Sequence, residues 1–297
     1  MNVMKEYAYE EHDVYFYDTH TKIKEPFTNK IRRILTSFTA LFICYVLSVI
    51  IYHTATAIFC DVFNIHNKFN YNGFTELNSS LVIWNLKRVT AVFSSGFIIC
   101  IIIFAVILYQ YIKKKNEIDV LRYYLLIGLI VFLNFTMIQL VVSPIGTITR
   151  NLGLYQGLSV VFTWYRFNGL LLVPLLAVAL IIMFVFGYKI GNEFLKFSFT
   201  SRINANRRNR IFFLIQVYFL PLLLLFVTII PLTREYSIII NFFLFVGLLY
   251  TGIGMVVRME YDRWVERAYK ADVLNKIPKV LLPLSVLLWV VIFFFWR

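Results

Sequence analysis

Long apolar runs without a charge, separated by short polar and basic stretches, set the pattern of this chain. Seven of them reach or approach the roughly 20 residues that a helix needs to cross about 30 Å of hydrocarbon. They run from Ile34 to Tyr52, Ala91 to Ile112, Tyr123 to Val142, Leu170 to Tyr188, Ile211 to Ile230, Ile238 to Val257 and Val280 to Trp296, and none contains Asp, Glu, Lys or Arg. A helix satisfies its own backbone hydrogen bonds in lipid, so the pattern predicts an all-α fold, a polytopic transmembrane bundle of seven spans. Pro174, Pro221 and Pro283 are expected to bend three of them without ending them. Residues 1–33 read as a cytoplasmic amphiphilic segment and residues 34–297 as the transmembrane domain, with outer loops at about 53–90 and 143–169. A cytoplasmic interfacial helix is predicted at about 259–277, where Tyr261, Trp264, Val265 and Ala268 recur at helical spacing against Arg263, Glu266, Arg267 and Lys270.

Composition agrees with that pattern. Of the 297 residues 60% are hydrophobic and 15% charged, whereas a soluble domain is about 45–50% apolar and about 25% charged. The net charge of +13 fixes an orientation, because Lys and Arg stay on the cytoplasmic side of a span. With alternating loops, 22 of the 29 basic residues fall on the side of the amino terminus, which places that terminus inside and the carboxyl terminus outside. The basic loops then lie against anionic head groups of the plasma (inner) membrane, and the charge requires no nucleic acid.

The spans also limit the chemistry. They hold no pair of aspartates for intramembrane proteolysis and no His-Glu-x-x-His helix for a zinc protease. They have no lysine for a retinal Schiff base and no histidine pair for haem. The chain has no phosphate-binding Gly-x-x-x-x-Gly-Lys-Ser/Thr loop. The polar groups at depth are the amides Asn134, Gln139, Gln216 and Asn241, whose ordinary role is hydrogen bonding between helices. Gly247, Thr251, Gly252 and Gly254 suggest close helix packing, while Gly187 and Gly191, at the end of a span, carry less of that meaning. His12, Asp13, Asp18 and His20 lack a ligand spacing, so no metal and no cofactor are expected. Cys44 and Cys100 should pack as small apolar groups, and Cys60 is expected outside, open to an impermeant maleimide.

The third loop carries the candidate binding residues: Arg150, Asn151, Gln156, Trp164, Arg166 and Asn168, around the short apolar stretch from Leu158 to Phe162. Two arginines on the sparsely charged side ask for a local cause. Their planar forks suit a phosphate or carboxylate, which points to an anionic lipid or substrate. The plainer reading is that they snorkel to head groups beside the interfacial anchors Trp164 and Tyr165. The expected function is that of a non-catalytic, multi-pass subunit of a membrane complex acting in translocation, assembly or anchoring, with protein partners at its amino-terminal segment and basic loops. The alternative is an outward-facing lipid-handling enzyme or transporter with an anion site at the third loop.

Overall fold

The computed structural model describes residues 26–70, 73–76, 84–150, 157–198, 203, 207–232, 235–261, 272–275 and 279–296. In chain order the elements are α1 (Phe27–Val62), the hairpin β1 (Asn67–Asn70) and β2 (Gly73–Glu76), α2 (Leu86–Lys113), α3 (Val120–Thr149) and the short α4 (Leu158–Trp164). They continue with α5 (Gly169–Leu195), α6 (Arg207–Leu232), α7 (Glu235–Tyr261) and α8 (Leu281–Phe294). Six of these helices, α1, α2, α3, α5, α6 and α7, are long and apolar enough to cross a membrane. The seventh apolar run forms α8, which is shorter, as a run of only 17 residues dictates.

Helix boundaries extend past the apolar runs. The 36 residues of α1 make a rod of about 54 Å at 1.5 Å per residue, well beyond a bilayer core, so the connection to α2 begins at Phe63 and not near His53. It includes a short antiparallel hairpin, with Asn67 opposite Glu76 and Phe69 opposite Phe74, in an otherwise helical fold. Likewise α3 runs through Ser143 and Pro144 to Thr149. Side-chain oxygens begin three helices: Asn85 accepts from the Arg88 N–H at 2.9 Å, Asp119 from that of Arg122 at 2.7 Å and Asn168 from that of Leu170 at 3.3 Å.

α3 takes the middle of the bundle, where its polar Asn134, Thr136 and Gln139 are buried among helices and kept from lipid. Every residue from Leu126 to Thr136 is buried, whereas α2 and α5 keep most of their apolar surface exposed. At its amino-terminal end α3 is tied to two neighbours by a hydroxyl relay: Ser37 of α1 donates to Tyr123 at 2.6 Å, and Tyr123 donates to the Val217 carbonyl of α6 at 3.2 Å. Pro221 explains that last bond. It has no N–H with which to close the helical bond to the carbonyl four residues back, and the wide π turn over Ile215–Phe219 accompanies it. Tyr123 takes the orphaned carbonyl.

The closest crossing joins α5 and α7. A Cβ on Gly187 would stand 2.1 Å from the Thr251 carbonyl oxygen, one on Gly254 2.5 Å from that of Phe184, and one on Gly191 3.1 Å from that of Met255. Gly187 and Gly191 are therefore central packing residues, contrary to their discounting in the sequence, because α5 stays helical through Leu195 and keeps them on one face. Cys60 also differs from expectation. It is fully buried against Ile65 and Val92, with Phe63, Trp84 and Phe93 around them, since the end of α1 is covered by the chain that follows it.

Candidate functional site

At the end of the bundle where α3 passes to α5, α4 packs its Leu158 and Phe162 against Leu172, Leu140 and Phe97. Thr147 donates to the Ser159 carbonyl at 3.2 Å and holds this short helix over the end of α3. Arg150 and Arg166 are both exposed and both left-handed, with φ of 52° and 54°. Arg150 caps the carboxyl end of α3, its N–H donating to the Gly146 carbonyl at 2.9 Å, and Arg166 follows the carboxyl end of α4, its N–H donating to the Thr163 carbonyl at 3.0 Å. A cation beside the last carbonyls of a helix is favoured by the helix dipole, which supplies a local cause for two arginines on this side. Trp164 is exposed, and Asn168 is spent on capping α5. Asn151 and Gln156 lie outside the described residues, as do His12, Asp13, Asp18 and His20, the segment 1–25 and most of the expected interfacial helix.

The opposite end of the bundle holds charge that the apolar runs do not reveal. Arg33, Arg122 and Arg210 are 1%, 2% and 5% exposed. Arg122, in the first turn of α3, donates to the Glu117 carbonyl at 3.0 Å and also to the Lys115 carbonyl, clasping the turn after α2. Its other arm meets Glu193 of α5 at 3.1 Å, and Tyr111 of α2 donates to the same carboxylate while its ring lies 5.0 Å from the guanidinium. Lys196 donates to the second Glu193 oxygen at 2.7 Å. Arg210 donates to the Met259 carbonyl at 2.8 Å, joining α6 to α7. These groups act as clamps between helices. Among the described residues no three His, Cys, Asp or Glu side chains gather as a metal site.

Two of the amides at depth bond between helices: Asn134 accepts from Thr251 at 2.9 Å, and Asn241 accepts from the Tyr45 hydroxyl. Gln139 and Gln216 are buried. The Tyr45–Asn241 pair forms part of the wall of a cavity of about 370 Å³ between α1, α6 and α7, otherwise lined by apolar side chains such as Leu225 and Phe242. Asn241 stood out in sequence as a polar residue inside a span, but Tyr45 and the cavity left no mark there, because a cavity depends on how three helices cross.

No protein-family model, curated protein or solved structure matches the chain. The class rests on the fold: six helices of membrane-crossing length and hydrophobicity make this a multi-pass integral membrane protein.

Proposed function

We propose that the chain is a non-catalytic subunit of a complex in the plasma (inner) membrane, acting in translocation, assembly or anchoring, and that it crosses the bilayer seven times with its amino terminus cytoplasmic and its carboxyl terminus outside. The observation that carries this reading is the use of polar groups in the bundle: Ser37–Tyr123–Val217, Asn134–Thr251 and Arg122–Glu193 all bind helix to helix. They serve a rigid scaffold. The seventh crossing is supported by α8, whose Trp289 indole donates to the Thr228 carbonyl at 3.1 Å. The turn that follows, Ile292–Trp296, packs on Ile230–Leu232, so α8 travels along α6 toward the end where α6 passes to α7. The 22-to-7 division of basic residues supports the orientation.

Extraction in a mild detergent at native expression, followed by mass spectrometry of co-purifying proteins, tests the subunit role. Stoichiometric partners are expected; a chain that purifies alone from crosslinked membranes refutes it. For the topology, a periplasm-active reporter should work after Arg297 and be silent after Arg208, and the reverse pattern would overturn it.

One observation favours a second reading, the outward-facing lipid-handling protein with an anion site at Arg150, Asn151, Gln156, Trp164, Arg166 and Asn168. Both arginines are exposed and neither has an ion pair among the described residues. Under this reading replacing both by Ala abolishes activity in a normally inserted protein; under the first it leaves function intact.

A further inference from the structure

The cavity between α1, α6 and α7 has no part in either reading. Its volume of about 370 Å³ lies in the range of small-ligand sites. Its inner wall is buried, with Tyr45, Leu222, Leu225 and Leu248 all at most 3% exposed. The mouth is different: Ile230, Ile238 and Phe242 are about half exposed. They sit on apolar parts of α6 and α7 close to the connection between the two helices, so in a bilayer the cavity opens sideways beside lipid chains just below the head groups.

One polar feature makes this more than a groove. Asn241 uses its oxygen to accept from Tyr45, and its two amide N–H donors have no acceptor among the described residues. In water such donors are solvated at no cost, but at hydrocarbon depth an unmatched donor is expensive. The ordinary role of such an amide is to bond between helices, and at Asn241 that role uses only the oxygen. Asn241 stands six residues after the first residue of α7, about 9 Å along the helix axis, which is within reach of the ester level of the nearer leaflet.

We infer that this cavity seats one acyl chain of a membrane glycerolipid, whose ester carbonyl oxygen accepts from the Asn241 amide. The chain lies along Leu225 and Phe242, and Tyr45 holds the amide with its donors turned to the lipid. A hydrocarbon chain without an oxygen would fill the volume but leave the donors unmatched.

The test uses the full-length protein in vesicles of phosphatidylcholine and phosphatidylglycerol, doped with a phosphatidylcholine that carries a diazirine in one ester-linked chain. Illumination and peptide mapping are expected to concentrate adducts on the cavity segments around Phe226–Ile230 and Ile238–Phe245, above the lipid-facing side of α2 at Ile98–Ile102. Leu225→Trp fills the cavity and should lower this labelling to the level of α2. Asn241→Leu removes the donors but keeps the shape, so labelling should fall roughly two- to tenfold, as for the loss of one hydrogen bond. An ether-linked diazirine probe, whose oxygen is a weaker acceptor than an ester carbonyl, should lose less labelling on Asn241→Leu than the ester probe does. Equal labelling of the cavity and α2 in the wild type, which would mean bulk lipid only, overturns the inference, and so does a cavity shielded from the probe by a protein partner. Ester and ether probes that respond alike to Asn241→Leu overturn the carbonyl assignment.

Discussion

Replacing Gly187 by Ala tests the tightest part of the bundle. The added methyl would lie 2.1 Å from the Thr251 carbonyl oxygen and 2.9 Å from its carbon. An ordinary C···O approach is about 3.3 Å or more, so α5 and α7 must part locally by about 1.2 Å. The obstacle is backbone, which cannot rotate away; a Cβ on Gly254 would stand 2.5 Å from the Phe184 carbonyl oxygen, and one on Gly191 a looser 3.1 Å from that of Met255. A gap of that size forfeits much of the dispersion energy along the crossing, and overpacking of a tight core costs typically about 1–3 kcal/mol. With about 2 kcal/mol as the central figure, Tm should fall by about 4–8 °C for a chain of this size. Thermal unfolding of the detergent-solubilised protein, followed by loss of the monodisperse peak in size-exclusion chromatography, measures it. Gly169→Ala is the control, since a Cβ there meets nothing within 4 Å. Thr251→Ala must not rescue Gly187→Ala, because the clash is with the main-chain oxygen. If Gly187→Ala melts within a degree of Gly169→Ala, the close crossing is wrong.

Three further outcomes follow from the same geometry. Arg122→Ala opens the turn after α2 and leaves Glu193 to Lys196 and Tyr111 alone, so a loss of about 1–3 kcal/mol is expected. In a double-mutant cycle with Glu193→Gln it should be clearly non-additive, and additivity in Tm would show that the pair does not couple. Tyr123→Phe strands the Val217 carbonyl that Pro221 cannot serve, at about 1–3 kcal/mol; Pro221→Ala introduces a competing N–H and should reduce that penalty, whereas an unchanged penalty would refute the relay. Finally, Cys60 should resist an impermeant maleimide in intact membranes and react after denaturation in SDS, while a cysteine placed at the neighbouring exposed Asp61 reacts at once; equal rates at the two positions would mean that the end of α1 is uncovered.

What could be read from the residues in order was set by the solvent. Hydrocarbon forbids unpaired charge over about 20 residues, and so the six long helices and the shorter α8 all coincide with apolar runs. Boundaries were a different matter. A helix does not stop where hydrophobicity stops, and α1 and α3 continue beyond Tyr52 and Val142 because no residue there breaks the backbone pattern and Pro144 is accommodated within the helix. Arg33, Arg122 and Arg210 lie just outside the apolar runs, yet each sits within a turn or two of a helix end, where neighbouring helices close over it.

The features least visible in the sequence are those that need two or three helices at once. Gly187-x-x-x-Gly191 is a local pattern, but its meaning depends on which helix supplies the opposing backbone, and α7 answers it with Thr251, Gly254 and Met255. Asn241 is visible as an amide inside a span, yet its role turns on Tyr45, 196 positions earlier. A lone intramembrane amide has two donors and one acceptor oxygen to satisfy. Where a neighbouring helix offers a hydroxyl, as Tyr45 does, the oxygen is matched and the donors are left to whatever occupies the cavity. The difference between Asn134 and Asn241 follows from this. Asn134 donates to the Ile130 carbonyl of its own helix at 2.8 Å and accepts from Thr251, closing on itself as structure, whereas the donors of Asn241 meet no acceptor among the described residues.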